Sequence, residues 1–146
     1  MKSKQVSAKL RNNNWLEERL AYIWRQYFTD VKVANRVSIR FSRPSKFRFG
    51  SITLVKQNFW GRGESKILIN GNFARRSVPA GVVDYTIAHE LVHYAHGFSS
   101  NLPRLHRYPH QGGIIDRELK ERGMAKTILI YKKWLKDYHA TIRSKT

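Results

Sequence analysis

The run from Val82 to His96, VVDYTIAHELVHYAH, constrains this chain more than any other stretch. It is strongly apolar, with Pro79 near its start and Gly97 where a left-handed stop belongs, and so predicts a helix over 82–96. A helix this apolar belongs in a core, and 146 residues suffice for one domain around it but not comfortably for two. A single domain over 1–146 is the expectation, with 1–12 as a flexible basic N-terminus.

The flanking patterns say what covers that helix. From Asn14 to about Asp30, Leu16, Leu20, Ile23, Trp24 and Tyr27 recur at helical spacing, with Asn12 to Asn14 as candidate N-caps. Between Arg36 and Asn70 the period changes to two, in VSIRF, FRFGSITLV and KILIN, separated by Pro44 and the Gly61-Arg62-Gly63 turn. This predicts a small antiparallel sheet of about three strands. After the loop-like FSSNLPRLHRYPHQGG, a short helix over 114–122 stops at Gly123. A last helix then runs from about Met124 to Ile142, with Ile128, Tyr131, Leu135, Tyr138 and Ile142 on one stripe. The class is therefore α+β: an N-terminal helix, a small sheet, the central helix and two C-terminal helices.

Charge bears on partners. Lys and Arg number 28 against 10 Asp and Glu, a formal net charge of +18, and such a field attracts polyanions. Nucleic acid is favoured over an anionic membrane surface or a merely solubilising charge. Arg40, Arg43, Lys46, Arg48, Arg62 and Lys66 decorate the predicted strands and turns and could contact phosphates; the plainer alternative is a solvated outer sheet face. Aromatics interleave with them in Phe47-Arg48-Phe49 and in Asn58-Phe59-Trp60-Gly61-Arg62, where core packing competes with base stacking. No stretch of about 18 apolar residues occurs, and MKSKQVSAKLRNNN lacks the apolar region of a secretory signal. An intracellular location, cytoplasmic or nucleoid/nuclear, is expected. With no cysteine, any metal must be held by His, Asp or Glu.

Within the apolar helix stands His89-Glu90-Leu91-Val92-His93, the H-E-x-x-H pattern. Residues four apart lie about 40° apart around a helix and one turn along it, so both imidazoles can share one metal. Zn2+ suits two neutral nitrogens with open positions. Glu90, about 100° around from His89, stands beside the metal, where its carboxylate can take a proton from zinc-bound water. Six His and six Glu in this length produce the pattern by chance in roughly one chain in a hundred, and its placement in an apolar helix argues further against accident.

A third ligand must come from downstream. His96 lies about two turns from His89, too far along the axis for a compact tetrahedron, and reads as a cap or supporting group. The extended metzincin pattern needs Gly at 96 and His at 99, where this chain has His96 and Ser99. His110, before Gly112-Gly113, is preferred, with His106 and Glu118 as alternatives.

The stretch from Lys66 to Gly123, with ILIN, VVDYTIAHELVHYAHG and PHQGG leading into a helix, resembles the SprT-like (Spartan-like) zinc metallopeptidases. That resemblance implies a zincin-like fold, His89, His93 and His110 on zinc, Glu90 as base, and intracellular proteolysis, in DNA-dependent members of proteins crosslinked to DNA. Unlike many such relatives, this chain has no cysteine zinc ribbon.

The function expected is a zinc-dependent endopeptidase acting on proteins bound or crosslinked to DNA, with an extended substrate pairing along an edge strand such as 66–70. Its partners would be a protein substrate and DNA, single-stranded or damaged, with no membrane, for a chain expected to be a monomer. Two alternatives are a nucleic-acid-binding module with a structural zinc site and a zinc hydrolase of a non-protein amide. A closed structural site gains nothing from Glu90.

Overall fold

The computed structural model describes residues 9–56, 61–110 and 113–144, and its apolar helix lies at the centre of an α+β arrangement. This helix, α2 (Ala80–Ala95), buries Val82, Val83, Tyr85 to Ala88 and Glu90 to Tyr94. The helix before it in the chain, α1 (Asn13–Tyr27), starts where the side chain of Asn12 accepts the backbone N–H of Trp15, and it buries Leu16, Leu20 and Ile23. Arg19 ties α1 to α2 with a two-pronged pair of hydrogen bonds to Asp84, 2.9 and 2.7 Å long. Residues 1–8 of the expected flexible N-terminus lie outside the described residues. Arg11, within the same segment, is held at the backbone by Ala74 and through its side chain by the carbonyls of Phe73 and Arg75.

The strands are β1 (Arg36–Phe41), β2 (Gly50–Val55) and β3 (Glu64–Ile69). The expected antiparallel sheet is corrected to a mixed one, in the order β1-β3-β2, with β3 antiparallel to β2 but parallel to β1. Alternation of polar and apolar residues fixes which face a side chain takes and carries no information about strand direction. What decides the order is burial: β3 puts Ser65, Ile67 and Ile69 into the core, whereas β1 exposes Arg36 and Arg40 and suits an edge. A second expectation falls with the first. The 66–70 segment is central, so it has no free edge to offer a substrate, and the edges belong to β1 and β2.

Ile39, Ile67 and Ile69 join α1 and α2 in one apolar core. On the far side of α2, α3 (Ile114–Glu121) and α4 (Ala125–Ser144) close it through Ile115, Leu119 and Ile128. The α4 stripe meets the sheet through Phe49, whose ring stands 6.5 Å from Tyr131, 5.5 Å from Trp134 and 5.8 Å from Tyr138. Among the described residues, no helix is long and apolar enough to cross a membrane.

Candidate metal centre

The C-terminus of α2 shapes the site. His96 is its C-cap and Gly97 takes φ +83°, as the notional left-handed stop requires. Phe98 N–H then bonds the His93 carbonyl and Gly97 N–H the Tyr94 carbonyl, the paired bonds of a Schellman motif. The chain leaves the helix one turn past His93 and folds back. Ser65 on β3 donates to the Ser99 carbonyl at 2.7 Å, Ser100 to the Tyr94 carbonyl at 2.8 Å, and Asn101 N–H to Asn35 at 3.2 Å. Polar side chains thus anchor a loop whose Leu105 and Tyr108 stay exposed, and its return brings His110 over α2.

His110 Nε2 lies 3.1 Å from Nε2 of His89 and 3.1 Å from Nε2 of His93. The three rings put one ligand atom each within 4.8 Å of one another, close enough to hold a metal ion. Hydrogen bonding alone does not account for this. One imidazole nitrogen has either one N–H or one in-plane lone pair, and cannot serve two neighbours equally. Tetrahedral ligands about 2.0–2.1 Å from zinc stand roughly 3.3 Å apart, near the spacing seen. Desolvation, followed by the charge of His110, pushes His89 down to about 4. Desolvation, followed by the neighbouring histidines, pushes His93 down to about 3. Both rings are therefore neutral near pH 7, the state in which they can donate to a metal.

Of the alternatives for the third ligand, neither joins this group. Glu118 turns away to His96, its Oε1 lying 2.6 Å from His96 Nε2, and its Oε2 accepts from Arg122 Nε at 2.9 Å. His106 faces His96 with ring centroids 4.5 Å apart. His96 has the capping position expected of it, locking the end of α2 to α3.

Glu90 points from α2 towards β2 and is 6% exposed; this burial pushes its carboxyl up to about 7. Its neighbour across the gap is Gly50, where a Cβ would stand 3.2 Å from Glu90 Oε2. Gly50 has no place among the site residues expected from the sequence, although a glycine inside a strand pattern is a signal of close approach. Tyr85 and Asp116 have none either. Tyr85 precedes His89 by one turn, its ring 6.0 Å from the imidazole, and donates to Asp116 at 2.6 Å while stacking on Tyr131 at 3.9 Å. The Asp116 charge acts on His89 in the direction that favours positive charge there.

The six basic candidates divide. Arg40, Arg43 and Arg48 line one cleft on the outer side of the sheet, and exposed Lys46 flanks it. Lys66 is exposed on the strand between Ser38 and Thr53. Arg62 stands apart from the cleft, its guanidinium donating to the Ala34 carbonyl at 3.1 Å. Asn58, Phe59 and Trp60 lie outside the described residues.

Compared with models of known families, with curated proteins and with solved structures, the chain matches none.

Proposed function

We propose that this chain is a zinc-dependent endopeptidase, zincin-like and SprT-like in its arrangement, acting on proteins bound or crosslinked to DNA. The observation that carries the reading is the convergence of His89, His93 and His110 one residue from buried Glu90. Three imidazoles suit zinc, which when bound would supply a Lewis acid for a scissile carbonyl and acidity for water. Glu90 accepts the proton of the attacking water at its carboxylate and returns it to the leaving amine. Burial raises this carboxyl to about 7 in the metal-free protein, and a cation held by the neighbouring histidines would favour the carboxylate form that a base needs. Edge strand β2, whose Gly50 end abuts Glu90, offers backbone groups to an extended peptide, replacing β3 in that role. An extended peptide favours protein over a small amide. Three ligands gathered among the described residues, against the four of a closed structural site, favour catalysis over a purely structural zinc.

The test is cleavage of a basic protein by the zinc-loaded chain, with and without single-stranded DNA, beside Glu90→Gln at matched zinc content. Cutting that DNA accelerates and the variant abolishes is the expected result. Cutting indifferent to DNA removes the link to nucleic acid. No cutting with zinc fully held overturns the peptidase.

A further inference from the structure

From Val31 to Gly63 the chain has eight Lys and Arg and no Asp or Glu. The fold concentrates part of that excess. Arg40 projects from β1 on the face opposite the core, in register with Leu68 of β3, and Leu68 is in register with Ser51 of β2. Around this row the segment between β1 and β2 folds over, so that Arg40, Arg43 and Arg48 border a cleft of about 610 Å³ with Leu68 and Ser51 in its lining. All three arginines are exposed. Among the described residues no acidic side chain lines the cleft, and none of the three forms an ion pair.

The segment is built rather than loose. Asn70, 2% exposed at the end of β3, donates to the Ser45 carbonyl at 2.7 Å and the Arg48 carbonyl at 2.9 Å, and accepts from Ser45 N–H at 3.1 Å. From the other side Tyr138 donates to the Lys46 carbonyl at 2.7 Å. The backbone that carries Arg43 and Arg48 is therefore fixed before any ligand arrives, which lowers the ordering cost of binding. At its tip Phe47 is 70% exposed, between Lys46 and Arg48. The Lys46 ammonium lies 5.8 Å from the Phe47 ring centroid, and a large ring held in water beside a cation is a pairing that stacks unpaired bases while phosphates meet the charges.

We infer that this cleft binds the backbone of single-stranded nucleic acid, with Arg40, Arg43 and Arg48 on successive phosphates and Phe47 against a base. The inference rests on the reading of the chain as a peptidase acting beside nucleic acid, and it adds where the strand lies. Gly50 and Ser51 both border the cleft, but a Cβ on Gly50 would point to Glu90, on the same side of the sheet as buried Ile69, whereas Ser51 is in register with Leu68 on the other side, so the strand lies across β2 from Glu90. Nucleic acid on this face recruits the enzyme and leaves the histidines open to protein.

The test is fluorescence anisotropy with a labelled oligothymidine of about 15 nucleotides, within the span such sites cover. It is run over a salt series on the zinc-loaded Glu90→Gln protein, so that affinity is read apart from cleavage. Replacing Arg40, Arg43 and Arg48 by Ala should weaken binding at least tenfold and reduce the logarithmic salt slope by about 2, at about 0.7 per phosphate on a single strand. A control triple of equal charge loss, Lys32→Ala with Lys120→Ala and Lys126→Ala outside the cleft, should weaken it far less. Phe47→Ala alone should cost at least fivefold on the single strand and leave a duplex of the same length within twofold. Equal losses in the two triples, or an unaltered Phe47→Ala, overturn the inference and leave only diffuse attraction. Anionic phosphatidylserine vesicles bound through the same arginines, with no oligonucleotide bound, make the face a membrane contact instead. Failure of cleavage with this affinity pattern intact strikes the peptidase reading alone.

Discussion

Gly50 and Glu90 touch across the gap between β2 and α2: a Cβ at residue 50 would stand 3.2 Å from Glu90 Oε2 and 2.6 Å from Thr86 Cγ2. The threonine cannot swing aside freely, because its hydroxyl donates to the Val82 carbonyl at 2.8 Å and so fixes its rotamer. Gly50→Ala should therefore push β2 and Glu90 apart, at a cost of about 1–3 kcal/mol in stability. Zinc content should stay stoichiometric, because the histidines are untouched, while kcat falls by about tenfold or more as the base leaves its position. Thr86→Ser keeps the hydroxyl and removes Cγ2, so adding it to Gly50→Ala should restore part of the lost stability. Urea melts and zinc analysis of the two variants check this; additive losses would remove the contact from the explanation.

The third ligand is decided by deletion. His110→Ala should lose stoichiometric zinc against a competing chelator, because its nitrogen lies 3.1 Å from both of the others. Glu118→Ala should keep the metal and lose stability, since it leaves buried His96 Nε2 without its carboxylate and Arg122 with Asp30 alone. His106→Ala should also keep it. Retention of zinc by His110→Ala, with loss in either of the others, would reverse the assignment.

Protonation of the metal-free protein has opposite signs at the two kinds of group. His89 and His93, held down to about 4 and about 3, contribute stability that is full above their ordinary 6.5 and lost as pH falls below it. Glu90, pushed up to about 7, contributes stability present below its ordinary 4.5 and lost as pH rises through 7. Between about pH 4.5 and 6.5, unfolding thus takes up protons at the histidines and releases one at Glu90. Glu90→Gln removes the release. Relative to wild type it should gain stability as pH rises through this window, by up to about 1.4 kcal/mol per pH unit. Denaturant melts of chelated protein at pH 5, 6, 7 and 8 measure the difference, and a flat difference would mean that burial leaves Glu90 unperturbed.

These groups also show what a sequence discloses and what it withholds. The stripe Leu16, Leu20, Ile23 and the caps at Asn12 and Gly97 are local, and α1 and α2 stand within a few residues of their expected places. His89, Glu90 and His93 were equally plain, because helical periodicity alone sets their geometry. His110 is a different case: its approach depends on Ser65, Ser100 and Asn101 anchoring a loop, contacts between residues far apart in the chain. Strand order escaped for a related reason. Two strands of the same alternation can pair in either direction, and only the demand of Ile67 and Ile69 for cover on both sides puts β3 in the middle. Arg40, Arg43 and Arg48 were legible as charges, but their gathering around one cleft, apart from Arg62, waits on the fold of the segment between β1 and β2.

Asn70 is where that segment is held, and its two ends can be tested separately. Its amide N–H groups face the Ser45 and Arg48 carbonyls, and its oxygen faces the N–H groups of Ser45 and Asn72. Asn70→Ala removes these bonds to part-buried backbone groups, of which the Ser45 carbonyl keeps the Asn72 amide at 3.3 Å, and should cost about 1–3 kcal/mol. Asn70→Asp keeps the acceptor but turns a charged oxygen towards two carbonyls in a site only 2% exposed, so at pH 7 it should be the worse of the two. Burial raises such a carboxyl, and its protonated form regains one donor. The Asp variant should therefore recover stability relative to Ala as pH falls towards 5. Both variants should keep zinc at the histidines, which belong to α2 and the 97–110 segment, and lose affinity for the oligothymidine because Arg43 and Arg48 no longer share one frame. Thermal melts at pH 7 and 5, read beside zinc content and anisotropy, check all of this; full oligonucleotide affinity in a folded Asn70→Ala protein would show that the arginines need no fixed backbone to bind.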